Sequence, residues 1–172
     1  MRKFVFLIHP RLSAREDMGR VNPIFKFIPE PILRSIIKHL PPIASSRIVI
    51  GGNEQVEGMI IVVPLVGSQF YSLPRDFVIE KIKSAVKMAR DLDASVVGLG
   101  EFTSSVSHGG LDLEREAGIT ITNGNSLTAG VTVASVEKII IEKKFTPENL
   151  KIGVVGAAGS IGSAVSRMLA DQ

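Results

Sequence analysis

Short apolar runs alternate with amphipathic stretches along this chain, and that rhythm sets the expected architecture. Residues 4–8 (FVFLI) form an apolar run closed by a proline two positions on, the pattern of a buried strand. From residue 11 to 42 the pattern changes. Pro23, Pro29 and Pro31 punctuate a segment to which Ile24, Phe25, Phe27, Ile28, Ile32, Leu33, Ile36, Ile37 and Leu40 bring apolar surface. Within it, residues 31–40 place apolar side chains at helical spacing and Pro41-Pro42 ends the run. The expectation is a helix packed on a sheet, with a mobile lid or apolar channel wall as the alternative.

Residues 46–51 and 59–65 (MIIVVPL) read as further strands, with Gly51-Gly52-Asn53 as turn and Pro64 at a strand end or edge. Pro74 opens a long amphipathic helix. Phe77, Val78, Ile82, Ala85, Val86 and Ala89 form its apolar face, and Arg75, Glu80, Lys81, Lys83, Lys87 and Arg90 its wet one. A buried strand is expected over 95–99, a polar loop over 100–110, a short helix over 111–117 and a strand over 119–122. Residues 123–126 then turn into a helix over 127–144, and the last strand and helix fall over 151–155 and 160–169. Alternation of strand and helix predicts an α/β fold with a mainly parallel sheet between two helical layers.

Composition narrows the class. Twenty basic residues against seventeen acidic leave a net charge of +3, and the basic residues do not interleave with aromatics, so no nucleic-acid partner is expected. The absence of cysteine excludes disulfides, thiolate metal sites and a cysteine nucleophile within these residues and suits a reducing compartment. The apolar run after Met1-Arg2-Lys3 is shorter than the roughly 7–15 residues of a signal-peptide core. No stretch approaches the roughly 18 apolar residues of a membrane span, so stable membrane insertion is not expected and a cytoplasmic location is.

The chemistry concentrates in three segments. In the third, residues 152–162, Gly156, Ala158, Gly159, Ser160, Ile161 and Gly162 follow a strand pattern (KIGVV) and open a helix pattern. A pyrophosphate must approach bare backbone amides at a helix start, and only the smallest side chains let it in. The spacing is G-x-x-G-x-x-G, with Ala157 where the commoner G-x-G-x-x-G pattern would start. These residues are the candidate dinucleotide site, for NADP or NAD. The residue that chooses between the two lies about 20 positions downstream of such a turn, whereas this chain stops ten residues after Gly162. It therefore reads as a truncated dinucleotide-binding unit.

The other two segments are strand ends, where open α/β sheets bind ligands. One leads into Glu101, Ser104 and Ser105, the other into Thr122, Asn123, Asn125, Ser126 and Thr128. Their hydroxyls and amides suit an anionic or carbonyl substrate, and Asn125 or Ser126 is placed to cap the following helix. Ordinary capping and turn chemistry is the competing reading. Glu101 is the acid–base candidate. His9, His39 and His108 do not group as ligands, His108 reads as a solvated loop residue, and no metal site is expected.

Together, GLGEFTSS, ITNGNSLTAG and VVGAAGSIGSAVSRML resemble the long-chain acyl-[acyl-carrier-protein] reductases and the related predicted amino-acid, or shikimate-dehydrogenase-like, dehydrogenases. The likeness covers roughly residues 59–169. Leu99, Gly100, Phe102 and Ser104 match the first motif, Thr122, Gly124, Asn125, Thr128 and Ala129 the second, and Gly156, Gly159, Ile161 and Gly162 the third. Leu127 departs from the histidine of the acyl reductases, and Glu101 stands where a glycine is expected. The resemblance implies an amino-terminal α/β substrate domain over 1–148 and the start of a Rossmann domain over 149–172. It further implies reduction of a fatty acyl thioester, on acyl-carrier protein or acyl-CoA, to an aldehyde, with the acyl-accepting cysteine downstream of Gln172. The alternatives are a dehydrogenase of a small polar acid and a non-catalytic interaction domain, whose exposed sheet edge would pair with a second copy.

Overall fold

The computed structural model describes residues 2–10, 13–51, 56–113, 118–146 and 149–171. They divide into two compact units, residues 1–123 and 124–172. The first is built on a five-stranded sheet of β1 (Arg2–Ile8), β2 (Ile43–Ile50), β3 (Val56–Val62), β4 (Val96–Leu99) and β5 (Thr120–Thr122). Strand order is β2-β3-β1-β4-β5, with β2 antiparallel to β3 and every other pair parallel. The fold is thus α/β with a mainly parallel sheet.

Alternate residues of β1 serve opposite faces, as the period of a strand requires. Val5 and Leu7 join Ile61, Val63, Val97 and Leu99 in one core, closed by the long helix α4 (Arg75–Asp91). That helix buries Val78, Ile79, Ile82, Ala85, Val86 and Ala89, so the expected apolar face is present with Ile79 added and Phe77 only half-buried. On the other face, Ile8, Val62 and Ile43 meet α1 (Ala14–Val21) and α2 (Glu30–Ile37) through Ala14, Met18, Leu33 and Ile37. Each such fully buried aliphatic side chain stabilises the fold by about 1.5–3 kcal/mol. The apolar segment after residue 11 therefore packs as a helix on the sheet, although Ile24, Phe27, Ile32 and Ile36 remain exposed. Between α3 (Gln69–Ser72) and α4 the chain turns at Pro74, as its sequence suggests.

Several expectations need correction. The loop expected over 100–110 contains α5 (Phe102–Val106) and a 3-10 turn, His108–Gly110. Hydroxyls make this possible: Thr103 Oγ1 donates to the Gly100 carbonyl at 2.5 Å and Ser107 Oγ to that of Thr103 at 2.6 Å. Residues 111–113 are helical, and the rest of the helix expected there lies outside the described residues, as does most of the turn at 51–53. α1 and a 3-10 turn at Pro23–Phe27 were not anticipated.

The second unit pairs α6 (Asn125–Lys143) with α7 (Ser160–Ala170) around Ala129, Val133 and Val165. The strand expected over 151–155 is not formed. An apolar run becomes a strand only by sharing a ladder, and residues 151–155 join none; Val155 is fully exposed. Among the described residues no helix is long and apolar enough to cross a membrane.

α1 is held at its start by a carboxylate from α2. Ser13 Oγ caps it by accepting from the Glu16 N–H, while Glu30 accepts from the Ala14 N–H at 2.9 Å and the Arg15 N–H at 3.1 Å. Arg34 Nε adds an ion pair at 3.0 Å. Burial opposes the charge on Glu30, but these donors outweigh it and hold the carboxyl below its ordinary value of 4.5. A carboxyl depressed in the folded state stabilises above its unfolded value, and that stability disappears as pH falls through the folded one. Wild type should therefore exceed Glu30→Gln in urea midpoint at pH 7, with the gap closing below about pH 4.5. A gap unchanged at pH 3 would contradict this assignment.

Candidate functional site at the carboxyl end of the central strand

The chain leaves β1 toward β3 over one face of the sheet and returns from β3 to β4 over the other, so the crossovers diverge between β1 and β4. At such a switch point the strand ends are not covered by a connection, and a crevice opens there. His9 follows β1 and Glu101 follows β4, and register brings them together because Leu7 pairs with Leu99 and the Gly100 N–H donates to the Leu7 carbonyl. His9 Nε2 lies 3.3 Å from Glu101 Oε2, and the His9 backbone N–H donates to the same oxygen.

The imidazole is enclosed. Its side chain is 2% exposed, against 28% for Glu101. The Phe102 ring stacks on it at 5.2 Å and the Phe70 ring leans against it at 4.6 Å, with Tyr71 set edge-on to Phe102. Glu101 carries its carboxylate on a backbone of φ 52°, ψ −129°, a conformation that glycine adopts freely and other residues only at a cost. The glycine that the resemblance expects at this position is thus the residue the backbone geometry favours.

In front of the pair is a cleft of about 650 Å³. Ile8, Ile60 and Val62 form an apolar floor; Asp17 and Arg20 of α1, Ser45 and Ser46 of β2, and Glu101 supply polar walls. The β2–β3 register slips between Ala44 and Ser46, a bulge that re-aims the edge strand where it borders the cleft.

Other sequence-predicted residues lie nearby or apart. Ser104 and Ser105 are on α5, where Ser105 Oγ donates to the Phe102 carbonyl and meets Tyr71 Oη at 3.2 Å. Thr122 ends β5, and Asn123 Nδ2 donates to the Gly109 carbonyl. Asn125, Ser126 and Thr128 belong to the second unit, in the first turn of α6. Neither Asn125 nor Ser126 caps that helix: Gly124, at φ 72°, is the cap residue, and Asn125 Nδ2 instead donates to Ser160 Oγ at 2.9 Å. His108 is paired with Asp112 at 3.0 Å beside Arg75, not merely solvated. His9 was missed although it directly follows the first strand, which is where a carboxyl-end site recruits residues.

The glycine turn has its own geometry within the second unit. Gly156 takes φ 80°, the Gly159 N–H closes the turn on the Gly156 carbonyl at 2.9 Å, and α7 begins at Ser160. A Cβ on Gly162 would collide with the Gly156 carbonyl, so the turn and helix approach as closely as glycine permits. Gly156, Gly159, Ser160, Ile161 and Gly162 border an open hollow of about 420 Å³ with Thr132 and Val165. Ala158 lies exposed between the two glycines of the turn.

The chain matches no protein-family model. Over 116 residues, 67% of its length, it is 32% identical to Aminotransferase PigE of Serratia sp.. It spans 14% of that protein. The relative is an enzyme, and the matched stretch is a small part of it.

The strain at Glu101 is measurable. Glu101→Gly and Glu101→Ala both remove the carboxylate, so their difference isolates the backbone. The glycine variant should be the more stable by about 1 kcal/mol in urea unfolding, opposite to the usual order in regular structure. Alanine equal to or above glycine would mean that residue 101 is unstrained.

Proposed function

We propose that this chain is the amino-terminal part of an NAD(P)-dependent oxidoreductase that reduces an acyl thioester, carried on acyl-carrier protein or coenzyme A, to an aldehyde. The observation that carries the reading is the switch-point cleft, which sets a strand-end carboxyl group beside an apolar sheet floor. Similarity to part of an enzyme supports a catalytic role. The motif resemblance supplies the reaction class.

The stoichiometry is one thioester, one NADPH and one proton giving one aldehyde, one thiol and NADP⁺. The glycine turn suits a nucleotide: residues 156–159 carry nothing larger than a methyl group, and a Cβ at Gly162 would collide with the Gly156 carbonyl. Gly156, Ala158, Gly159, Ser160, Ile161 and Gly162 would hold the pyrophosphate, and the bound cofactor supplies the hydride. In the cleft, Ile8, Ile60 and Val62 take the first apolar carbons of the acyl group and keep water from its carbonyl. Glu101 gives the departing sulfur its proton. Ser104 and Ser105 on α5, after β4, and Thr122 and Asn123 at the end of β5 would orient the thioester arm.

Arg20 in the cleft wall favours one second reading, a small polar acid whose carboxylate it would pair with. The longest natural form of the protein separates the two. NADPH oxidation that depends on a long-chain acyl thioester, with thiol released in equal amount, supports the first. Turnover only with a hydroxy or amino acid supports the second, and turnover with neither leaves the interaction-domain reading. For the 172-residue chain alone, with residues 151–155 outside any ladder, calorimetry should detect no NADPH binding at tens of micromolar. Saturable binding would show that the turn suffices by itself.

A further inference from the structure

Among the described residues the buried polar side chains are His9, Thr103 and Ser107, and of these only His9 titrates. The two hydroxyls are accounted for by bonds to backbone carbonyls. His9 differs from them: both its ring nitrogens have backbone partners, and one of the two also faces a carboxylate. Nδ1 is 2.8 Å from the Pro10 carbonyl, which can only accept, so Nδ1 carries a hydrogen. In the neutral ring Nε2 is then a bare lone pair. That lone pair accepts from the Phe102 N–H at 3.5 Å and faces Glu101 Oε2 at 3.3 Å. Two lone pairs at that separation repel. The contact is attractive only with a proton between them, either on the imidazole or on the carboxyl group.

We infer that His9 and Glu101 form a proton-sharing pair in which Glu101 faces the substrate and His9, sealed between Phe70 and Phe102, is the positioning residue that supplies and retrieves its proton. The pair is anchored at both ends. The His9 backbone N–H fixes the carboxylate, and the Pro10 carbonyl fixes the ring. Its exposure is one-sided: the carboxylate is 28% exposed and the imidazole, in a residue that also borders the cleft, 2%. The other titratable groups on the cleft wall are Asp17 and Arg20 of α1, across from Glu101. The strained backbone of residue 101 is the means by which β4 aims the carboxylate back at β1. The catalytic consequence rests on the proposed reductase; the shared proton does not.

Two measurements keep these apart. In the 172-residue chain labelled with nitrogen-15, long-range proton–nitrogen spectra report each histidine nitrogen, and loss of one pattern in His9→Phe assigns His9 against His39 and His108. The Nε2 resonance of His9 should lie away from the bare lone-pair position in wild type and move to it in Glu101→Leu. An Nε2 already bare in wild type, or unmoved in Glu101→Leu, overturns the pair whatever the enzyme does.

In the longest natural form, Glu101→Gln should lower kcat about a hundredfold. His9→Phe keeps an aromatic ring between Phe70 and Phe102 but no proton, and should lower kcat about tenfold with little change in KM. His9→Gln retains a donor toward Glu101 and should recover part of that loss. If His9 only fills space, the order reverses, with phenylalanine near wild type and glutamine worse, and the positioning role is lost. A positive spectrum with no thioester turnover would sink the reductase reading and leave the pair standing.

Discussion

Parallel pairing of β1 on both sides is the constraint from which the rest follows. A strand flanked by parallel neighbours cannot be reached by a tight hairpin, so each neighbour requires a crossover, and each crossover must cover a face. Here α1 and α2 take one face and α4 the other. That division gives the sheet its two cores and leaves the ends of β1 and β4 between diverging connections. Side chains that follow those strands, His9 and Glu101, are thereby placed together although they stand 92 positions apart in sequence. The cleft is a consequence of topology before it is a consequence of any particular side chain.

The elements that could be read from sequence are those where a single period dominates. β1 is a run of five apolar residues, and α4 repeats its apolar face over 17 residues, so burial alone specifies both. α1 is a different case. It brings Ala14 and Met18 to the core and owes its start to Ser13 and to a carboxylate from α2, a contact that no local pattern reveals. α5 is likewise made by Ser and Thr, which ordinarily signal a loop, returning their hydroxyls to nearby carbonyls. At residues 151–155 the reverse holds: an apolar run predicts a strand, but strand identity belongs to the pair, and no partner strand is there among the described residues.

The candidate site divides along the same line. Glu101 was legible because it follows a strand at a cleft-forming end, and the glycine turn because its spacing has a mechanical reason. His9 satisfies the first of these rules equally well, but it belongs to no cluster of histidines, and its partner is a carboxylate that follows a strand three places later in the chain. Asp17 and Arg20 carried no signal at all, because the helix that presents them to the cleft was itself not foreseen.

Glu101 shows why local rules fail where they do. A positive φ at a non-glycine residue costs on the order of 1–3 kcal/mol, and a glycine would remove that cost without altering the path of the chain. Packing does not compensate for it, since the side chain is partly exposed and lies against the cleft. What the glutamate adds is a carboxylate held by the backbone of His9 and turned toward its ring. Local preference and side-chain chemistry conflict at Glu101, and the chain keeps the chemistry. Natural sequences tolerate such conflicts mainly at functional sites. The strained residue, the buried imidazole and the crevice at the switch point are three independent features, and they coincide at the end of β1.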